Sequence, residues 1–123
     1  MVDRRGLPVR VVLTPGQASD KAAVPHLIDG LRLGRSVVAD RGYDSRAIVE
    51  LIEAHGARAH IPTMRTRRVQ RSVNAKLYRQ RNLIERCFNK LKHFRRIATR
   101  FDKLARNFLA ATCLVAALYW VTL

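Results

Sequence analysis

The second half of this chain has almost no acidic residues and lacks glycine and proline altogether. Between residues 65 and 100 there are thirteen Lys or Arg residues and a single acid, Glu85. No Gly or Pro occurs after Pro62. Because these two residues are the strongest local interrupters of helices, their absence predicts a helical second half. The helical region would follow a polar, basic loop at Arg65–Ala75 and would contain two helices that meet near Ala98–Asp102.

Cysteine and long apolar segments are also scarce, and each scarcity excludes a class of protein. The two cysteines, Cys87 and Cys113, lack the number and spacing of a zinc site or a disulfide framework. The apolar tail Phe108–Leu123 has at most sixteen residues, fewer than the roughly 20 that span a bilayer. We therefore expect a buried core helix and no membrane contact. If the end of that helix were unpacked, it would be an aggregation-prone surface.

The chain begins with MVDRRG, which contains no apolar stretch of the kind found in an export signal. We therefore expect a cytoplasmic protein in a reducing compartment. Both cysteines fall on apolar helical stretches, where a free cysteine behaves as a small hydrophobe.

The positive charge of the chain is unevenly distributed. The net charge is +15 over 123 residues. Residues 1–64 carry nine Lys or Arg and seven acids, or +2, whereas residues 65–123 carry fifteen and two, or +13. A chain of this length is one small domain with a modest core. An asymmetry of this size indicates a polyanionic partner, and nucleic acid fits it better than a membrane surface.

Alternation near the N-terminus predicts a hairpin. Leu7–Thr14 alternates with period two, as a strand does, and Asp3–Gly6 just before it is typical of a turn. A hairpin needs a strand on each side, yet only Met1 and Val2 precede the turn. We therefore expect the chain to begin in the middle of a fold.

Turn and capping residues predict a strand–helix–strand unit in the first half. The predicted elements are a helix capped by Ser19 and Asp20 that runs towards Gly30, a strand at Ser36–Ala39, a helix at about Arg46–His55 and a strand at Arg58–Ile61. Pro25 suits the first turn of the first helix, and Gly56 suits the position after the second. Such a unit is a parallel crossover. The fold class is therefore α/β, a small mixed sheet with helices packed on it.

One helix is predicted to carry a mixed polar face. Tyr78, Arg81, Glu85 and Lys92 fall within an arc of roughly 60° at about 100° per residue. The opposite face is apolar, formed by Leu83, Ile84, Cys87, Leu91, Phe94 and Ala98. A lone carboxylate among cations weakens binding to a polyanion unless it holds a divalent metal against a phosphodiester. The plain alternative is that Glu85 pairs with Arg81 or Asn89, which is worth a few tenths of a kcal/mol.

Three sequence runs, in order and with that spacing, resemble bacterial insertion-sequence transposases of the DDE class. The runs are VVLTPGQASDKAA at Val11–Ala23, VVADRGYDS at Val37–Ser45 and RNLIERCFNKLKHFRRIATRFDKLARNFLAA at Arg81–Ala111. The Tyr78–Lys92 spacing is similar to the signature that ends the catalytic domain of that class. The resemblance implies a partial RNase H-like fold that cleaves and rejoins DNA. It also implies two divalent ions, Mg²⁺ or Mn²⁺, held by three carboxylates.

The resemblance assigns two of the three carboxylates. Asp40 matches the second and Glu85 the third, as catalytic and metal-binding residues. Asp40 directly follows the strand Ser36–Ala39, and sites in α/β sheets lie at the carboxyl ends of strands. The alternatives are that Asp40 only supports the turn, and that Asp44 competes as a ligand, although capping by Asp44 or Ser45 suits that position better. The first catalytic Asp would lie upstream of the hairpin, so we expect an N-terminally incomplete catalytic domain.

The resemblance also implies partners. Tyr78, Arg81 and Lys92 would contact DNA near the cut, because Lys and Arg position phosphates without reading sequence. We assign the loop arginines to DNA as well, with a solvated basic face as the alternative: Arg65, Arg67, Arg68 and Arg71. The expected partners are double-stranded DNA at the transposon ends and target, the upstream half of the transposase, and further copies of the chain in a homo-oligomeric complex.

Two hypotheses from different classes follow. The first is a transposase fragment with a strand and helix part at 1–64, a basic loop at 65–75 and a helical part at 76–123. It would be active only when the upstream part completes it. The second is a catalytically inactive, basic DNA-binding remnant or an inhibitor of transposition. A small ribosome-associated basic protein is a weaker third possibility, because such a protein would not need Glu85.

Overall fold

The computed structural model describes residues 1–15, 19–94, 97 and 104–121. They form two compact units, one made of Met1–Leu13 with Asn82–Leu123 and the other of Thr14–Arg81. Helices and a small parallel sheet are both present, which confirms the predicted α/β class.

The unit Thr14–Arg81 contains the predicted strand–helix–strand arrangement. Its elements are a 3₁₀ turn at Asp20–Ala23, α1 at Val24–Ile28, β1 at Ser36–Val38, a 3₁₀ turn at Arg41–Tyr43, α2 at Arg46–Ala54, β2 at Arg58–His60 and α3 at Ala75–Arg79. Strands β1 and β2 are parallel, with Ser36 opposite Arg58 and Val38 opposite His60. The described part of the chain therefore holds a two-stranded parallel sheet where a mixed one was expected.

The core of this unit lies between α2 and the sheet. Ile48 and Ile52 are buried on α2, one turn apart and thus on the same helix face. They join Ile61, which is fully buried just after β2, and the buried Val24 of α1. Fully burying an aliphatic side chain of this size stabilises a fold by roughly 1.5–3 kcal/mol. This cluster therefore holds the end of β1 in place, and the chain continues from there to Asp40.

Local capping chemistry explains where these helices start and stop. The Ser19 hydroxyl accepts a hydrogen bond from the Lys21 N–H at 3.3 Å, and Pro25 lies in the first turn of α1, both as predicted. Helix α2 ends in a double hydrogen bond: Gly56 N–H donates to Glu53 O at 2.9 Å, and Ala57 N–H donates to Ile52 O at 3.3 Å. Gly56 has a φ of +80°, so the predicted glycine stop is confirmed.

Alanine substitutions at two glycines test whether the positive φ of Gly56 ends α2. Gly56→Ala should lower the free energy of unfolding by about 1 kcal/mol, because a side chain at positive φ is strained. An added Cβ meets no atom within 4 Å there, so the effect is that of the backbone alone. Gly34 is equally open to a Cβ and has no positive φ, which makes Gly34→Ala the matched control. Equal losses for both variants in urea unfolding would contradict the assignment.

The N-terminal hairpin forms, but the long strand predicted after it does not. Val2 and Pro8 make an antiparallel bridge, with Asp3 N–H donating to Leu7 O and Val9 N–H donating to Met1 O, both at 2.9 Å. Pro8 sits between these two bonds, where its missing N–H is not needed. The predicted strand Leu7–Thr14 is wrong beyond this bridge. Alternating residues form a strand only where a neighbouring strand pairs with their backbone N–H and C=O groups.

The unit that holds this hairpin also contains the helices α4, at Asn82–Lys92, and α5, at Ala105–Val121. They contact each other through Tyr119, whose hydroxyl donates to Lys90 O at 2.6 Å. The Tyr119 ring also lies edge-on to Phe94, with 6.3 Å between ring centroids. The indole N–H of Trp120 donates to Pro8 O at 2.7 Å and ties α5 to the hairpin. The predicted junction near Ala98–Asp102 lies outside the described residues.

Helix α5 is buried along one side only. Thr112 and Ala116 are its buried residues, whereas Leu114 and Val121 are 73% and 82% exposed. The expectation of a buried core helix is therefore wrong for most of its surface, because apolar residues lie on every side of the helix and only one stripe of them is covered. Likewise Cys87 is buried as expected and Cys113 is exposed. In the part of the chain that the structure describes, no helix is long and apolar enough to cross a membrane.

Candidate active site

The predicted polar face is divided between two helices. Helix α3 ends at Arg79 and α4 begins at Asn82. Between them the backbone tightens to hydrogen bonds three residues apart, from Gln80 N–H to Leu77 O and from Arg81 N–H to Tyr78 O, both at 3.0 Å. The prediction of one continuous helix through Tyr78 and Lys92 is therefore wrong. A tightened last turn can end a helix without Gly or Pro, so the sequence carries no signal for it.

Tyr78 and Arg81 form a pair at the end of the unit Thr14–Arg81. The guanidinium carbon of Arg81 lies 5.7 Å from the centroid of the Tyr78 ring, within cation–π range. Both residues are half-buried. The Asn74 side chain begins α3 by accepting hydrogen bonds from Lys76 N–H at 2.9 Å and Leu77 N–H at 3.2 Å. A capped helix turn thus holds a phenol and a cation together.

Glu85 and Lys92 belong to the other unit and lie on α4. Both are exposed, while Cys87 and Leu91 face the interior. Glu85 lies in the first turn and Lys92 in the last, so each charge suits the helix dipole. Burial raises the pKa of the Cys87 thiol, which keeps that side chain a neutral hydrophobe. Helix α4 therefore presents one carboxylate outward from an apolar base.

Asp40 follows β1 and is exposed, as predicted. Its Oδ1 accepts a hydrogen bond from Gly42 N–H at 2.9 Å, and a Cβ added at Gly42 would lie only 3.0 Å from that oxygen. Asp40 thus supports the turn, and within the described residues Oδ2 has no hydrogen-bond partner. Burial, with the carboxylates of Asp20 and Asp40 nearby, raises the pKa of the Tyr43 phenol. The carboxylates of Asp20 and Asp40 therefore both lie near enough to Tyr43 to disfavour its charged form.

Asp44 is buried, which the sequence patterns did not indicate. It is 1% exposed and accepts hydrogen bonds from Met64 N–H at 2.7 Å and Arg71 Nη2 at 2.7 Å. Arg67 Nε forms a further ion pair with it at 2.9 Å. The N-cap of α2 is Ser45, so the alternative that Asp44 caps this helix is wrong. Donors some twenty residues away occupy its oxygens, and that pairing cannot be deduced from neighbouring residues.

These bonds hold the carboxylate in its charged form. Burial by itself would raise the pKa of Asp44, but the Met64 N–H and the Arg71 and Arg67 guanidiniums outweigh burial and lower the pKa from its ordinary value of 3.8. A carboxylate committed in this way is a structural anchor.

The anchor closes the basic loop into an ordered turn. Arg67 N–H and the Gln70 side-chain amide both donate to Met64 O at 3.0 Å. Arg71 closes the loop with its N–H to Thr63 Oγ1 at 2.6 Å and its Nη1 to Ile61 O at 2.6 Å. The predicted irregular loop is confirmed by the structure. Arg67 and Arg71 face the anchor, and two other predicted DNA contacts, Arg65 and Arg68, are exposed.

The chemistry of the two predicted metal ligands suits a hard cation. Exposed carboxylate oxygens are the donors that Mg²⁺ prefers, and both Asp40 and Glu85 provide them. They belong to different units. Within residues 1–15, 19–94, 97 and 104–121, no group of three or more His, Cys, Asp or Glu side chains is placed to hold a metal ion.

Comparison with known proteins gives a consistent family. The family model for the transposase DDE domain matches residues 1–120. A Brucella ovis protein named "Putative transposase for insertion sequence element IS6501" is 36% identical over 122 residues, covering 98% of this chain and 94% of that protein. A Burkholderia cepacia protein named "Putative transposase for insertion sequence element IS402" is 30% identical over 116 residues, covering 85% of this chain. The chain spans 53%, about half, of that second relative. No solved structure matches the chain.

Proposed function

This chain belongs to the DDE-domain transposase family, and from that premise we propose that it binds DNA and supplies two metal-binding carboxylates for phosphodiester cleavage and strand transfer. The observation that carries the proposal is the placement of Asp40, an exposed carboxylate two residues after the end of β1. Glu85 is the second carboxylate, exposed at the start of a basic helix. Transposition of an insertion-sequence element in bacteria is the overall reaction.

Asp40 and Glu85 are the ligands we propose for two divalent ions, Mg²⁺ or Mn²⁺. Ions held there would supply Lewis-acid activation of the attacking oxygen and stabilisation of the leaving one. The Gly42 N–H holds Oδ1 of Asp40 at 2.9 Å, and within the described residues Oδ2 has no hydrogen-bond partner. Glu85 is positioned by the buried base of α4, formed by Cys87 and Leu91. The third carboxylate would come from an upstream transposase segment or chain.

The anchored loop is the DNA contact that the geometry supports best. Arg65 and Arg68 project from a loop that Asp44 holds in place, so little conformational entropy is lost when they meet phosphates. Arg67 and Arg71, also proposed as DNA contacts, have the additional task of fixing that loop.

The other phosphate contacts we propose are the Tyr78–Arg81 pair and Lys92. Arg81 is held over the Tyr78 ring, and Lys92 is exposed in the last turn of α4. Contacts of this kind position DNA without reading its sequence, which suits both transposon ends and variable target duplex. The proposed setting is an RNase H-like catalytic domain, working as a homo-oligomer on DNA in the bacterial nucleoid.

A catalytically inactive role in DNA binding is the second candidate. The +13 charge of residues 65–123 and the anchored loop both serve DNA binding without needing a metal. A chain that occupies transposon ends in this way would inhibit transposition. Cleavage assays separate the two candidates, whereas binding assays alone do not.

Salt titration tests the DNA contact common to both candidates. If six or more phosphates are engaged, affinity for duplex DNA should fall by about a thousandfold or more between 50 and 200 mM salt. Replacing Arg65 and Arg68 together by Ala should make the slope of log affinity against log salt concentration less steep. The change should correspond to the loss of about two phosphate contacts. Fluorescence anisotropy on a labelled duplex measures both effects.

The matched control is Arg46→Ala. Arg46 is also exposed, but it lies on α2 and pairs with Glu50 at 2.8 Å, so its loss should leave the salt dependence unchanged. A flat salt response of the unmodified chain would rule out the phosphate contacts proposed for the basic region.

A further inference from the structure

Arg41 is an exposed cation next to Asp40 in the chain, and one of its nitrogens is tethered. Its Nε donates a hydrogen bond to Thr63 O at 3.0 Å. Because Arg41 follows the end of β1 and Thr63 follows the end of β2, this bond crosses the carboxyl edge of the parallel sheet. Thr63 is only 3% exposed, and its Oγ1 accepts a hydrogen bond from Arg71 N–H at 2.6 Å. The guanidinium of Arg41 is therefore held by a buried, hydrogen-bonded residue.

The tether leaves most of this guanidinium without a role in the fold. An arginine carries N–H donors on Nε, Nη1 and Nη2. In the part of the chain that the structure describes, Nη1 and Nη2 of Arg41 have no hydrogen-bond or ion-pair partner. Lys21, Arg67 and Arg71, by contrast, all donate to oxygens of Asp44. A structural tether needs one N–H donor and no charge, so the described fold does not account for a cation at Arg41.

Asp40 and Arg41 do not neutralise each other. Among the described residues no ion pair joins the two side chains, although they are adjacent in sequence. Asp40 Oδ1 is held instead by Gly42 N–H at 2.9 Å, and Arg41 Nε is held by Thr63 O. Each charged group therefore keeps its remaining atoms for a ligand of opposite charge, a cation at Asp40 and an anion at Arg41.

We propose that Arg41 binds, through Nη1 and Nη2, the phosphodiester that is cleaved at the metal ions held by Asp40. This rests on the proposed function. A guanidinium matches two oxygens of one phosphate with parallel N–H donors. Because Nε is already held, the side chain loses little freedom when the phosphate binds. Beside a metal ligand, the guanidinium stabilises the negative charge that develops on the phosphate during the reaction. The position of Arg41 directly after Asp40 was the available signal in the sequence.

Arg41→Gln separates phosphate binding from the tether. The amide nitrogen of Gln lies as many bonds from Cα as Nε of Arg does, so it can still donate to Thr63 O, but the charge and both Nη groups are gone. Binding of the full chain to a labelled duplex without divalent metal should weaken by about tenfold. The slope of log affinity against log salt concentration should lose about one phosphate contact. Fluorescence anisotropy measures both.

Two other substitutions at this position identify the role of the charge. Arg41→Ala should weaken DNA binding as much as Arg41→Gln does, and it should also lower the midpoint of urea unfolding, because the bond to Thr63 O is lost. Arg41→Lys keeps a positive charge and should restore the slope of the salt dependence. If Arg41→Gln bound DNA like the unmodified chain while Arg41→Ala did not, Arg41 would be a structural tether and the proposal would be overturned.

The matched control is Arg58→Gln. Arg58 is also an exposed arginine of this unit, but it is the first residue of β2 and thus lies at the opposite end of the parallel sheet from Arg41. Its substitution should change neither the affinity for the duplex nor the salt dependence. A loss equal to that of Arg41→Gln would show a general effect of charge and overturn a specific contact at Arg41.

A double substitution tests whether the bound phosphate lies beside Asp40. Without a metal ion, the Asp40 carboxylate repels a neighbouring phosphate, so Asp40→Asn should tighten DNA binding by about threefold. In the Arg41→Gln background this gain should disappear, since no phosphate is held there. An equal gain in both backgrounds, or no gain in either, would overturn the proposal while leaving the proposed function intact. A flat salt response of the unmodified chain would instead refute the DNA binding on which both rest.

Discussion

Glu85→Gln is expected to reduce metal-dependent strand cleavage by about a thousandfold while leaving DNA binding intact or slightly tighter. The amide has nearly the same shape but no charge with which to hold a divalent ion, and such an ion contributes several kcal/mol of transition-state stabilisation, at about 1.4 kcal/mol per factor of ten. Glu85 is exposed, so the fold should tolerate the change. Cleavage is measured on transposon-end DNA with Mg²⁺, in the presence of the upstream partner proposed above.

Two further variants make this result specific. Asp40→Asn should cause a loss of similar size, because we propose that both carboxylates hold the same metal pair. Glu50→Gln is the matched control, since Glu50 is an exposed acid whose recorded partner is Arg46 of its own helix. If Glu85→Gln abolished DNA binding together with cleavage, Glu85 would be a structural ion-pair residue.

Asp44→Asn is expected to lower the free energy of unfolding by about 3 kcal/mol. Removing one partner of a buried ion pair leaves uncompensated charge, which typically costs about 3–5 kcal/mol. Here the lower end applies, because the Arg67 and Arg71 side chains are 47% and 32% exposed and can recover some hydration. Urea unfolding measures the loss. The released loop should also bind duplex DNA more weakly.

The pH dependence of this variant follows from the lowered pKa of Asp44. A carboxylate whose folded pKa lies below its unfolded value stabilises the fold above that unfolded value, near 3.8, and loses this contribution as the pH falls through the folded pKa. The difference between the parent chain and Asp44→Asn should therefore be full at pH 7 and shrink below about pH 4. Glu53→Gln, at an exposed position of α2, should change stability by less than about 0.5 kcal/mol. A difference that stays constant down to pH 2 would contradict the anchor.

Much of the unit Thr14–Arg81 could be predicted because its elements are bounded by local chemistry. Ser19, Pro25 and Gly56 each act on the backbone within a few residues of themselves, so their effects are visible in a short sequence window. The position of Asp40 followed for the same reason. A short apolar run ended there, and a turn residue came next.

Other features depended on contacts that a sequence window does not contain. The strand after Leu7 needed a partner strand, and the break near Arg81 came from a tightened helix turn without Gly or Pro. Neighbouring residues favour Asp44 as a helix cap, whereas its donors, Met64, Arg67 and Arg71, lie some twenty or more residues further along the chain. A helical wheel assumes one continuous helix, whereas Tyr78 lies on α3 and Glu85 lies on α4.

The central claim is our proposal that Asp40 and Glu85 are both ligands of the catalytic metal ions. Iron-directed cleavage of the polypeptide tests it most directly. Fe²⁺ replaces Mg²⁺ at oxygen-rich sites, and with ascorbate and peroxide it cuts the backbone next to its ligands. The chain, bound to transposon-end DNA in the presence of the upstream partner proposed above, should be cut beside both residues, and excess Mg²⁺ should suppress both cuts. Asp40→Asn or Glu85→Gln alone should abolish cutting at both positions. Cuts beside only one carboxylate, or cuts at one that persist when the other is replaced, would contradict a shared site.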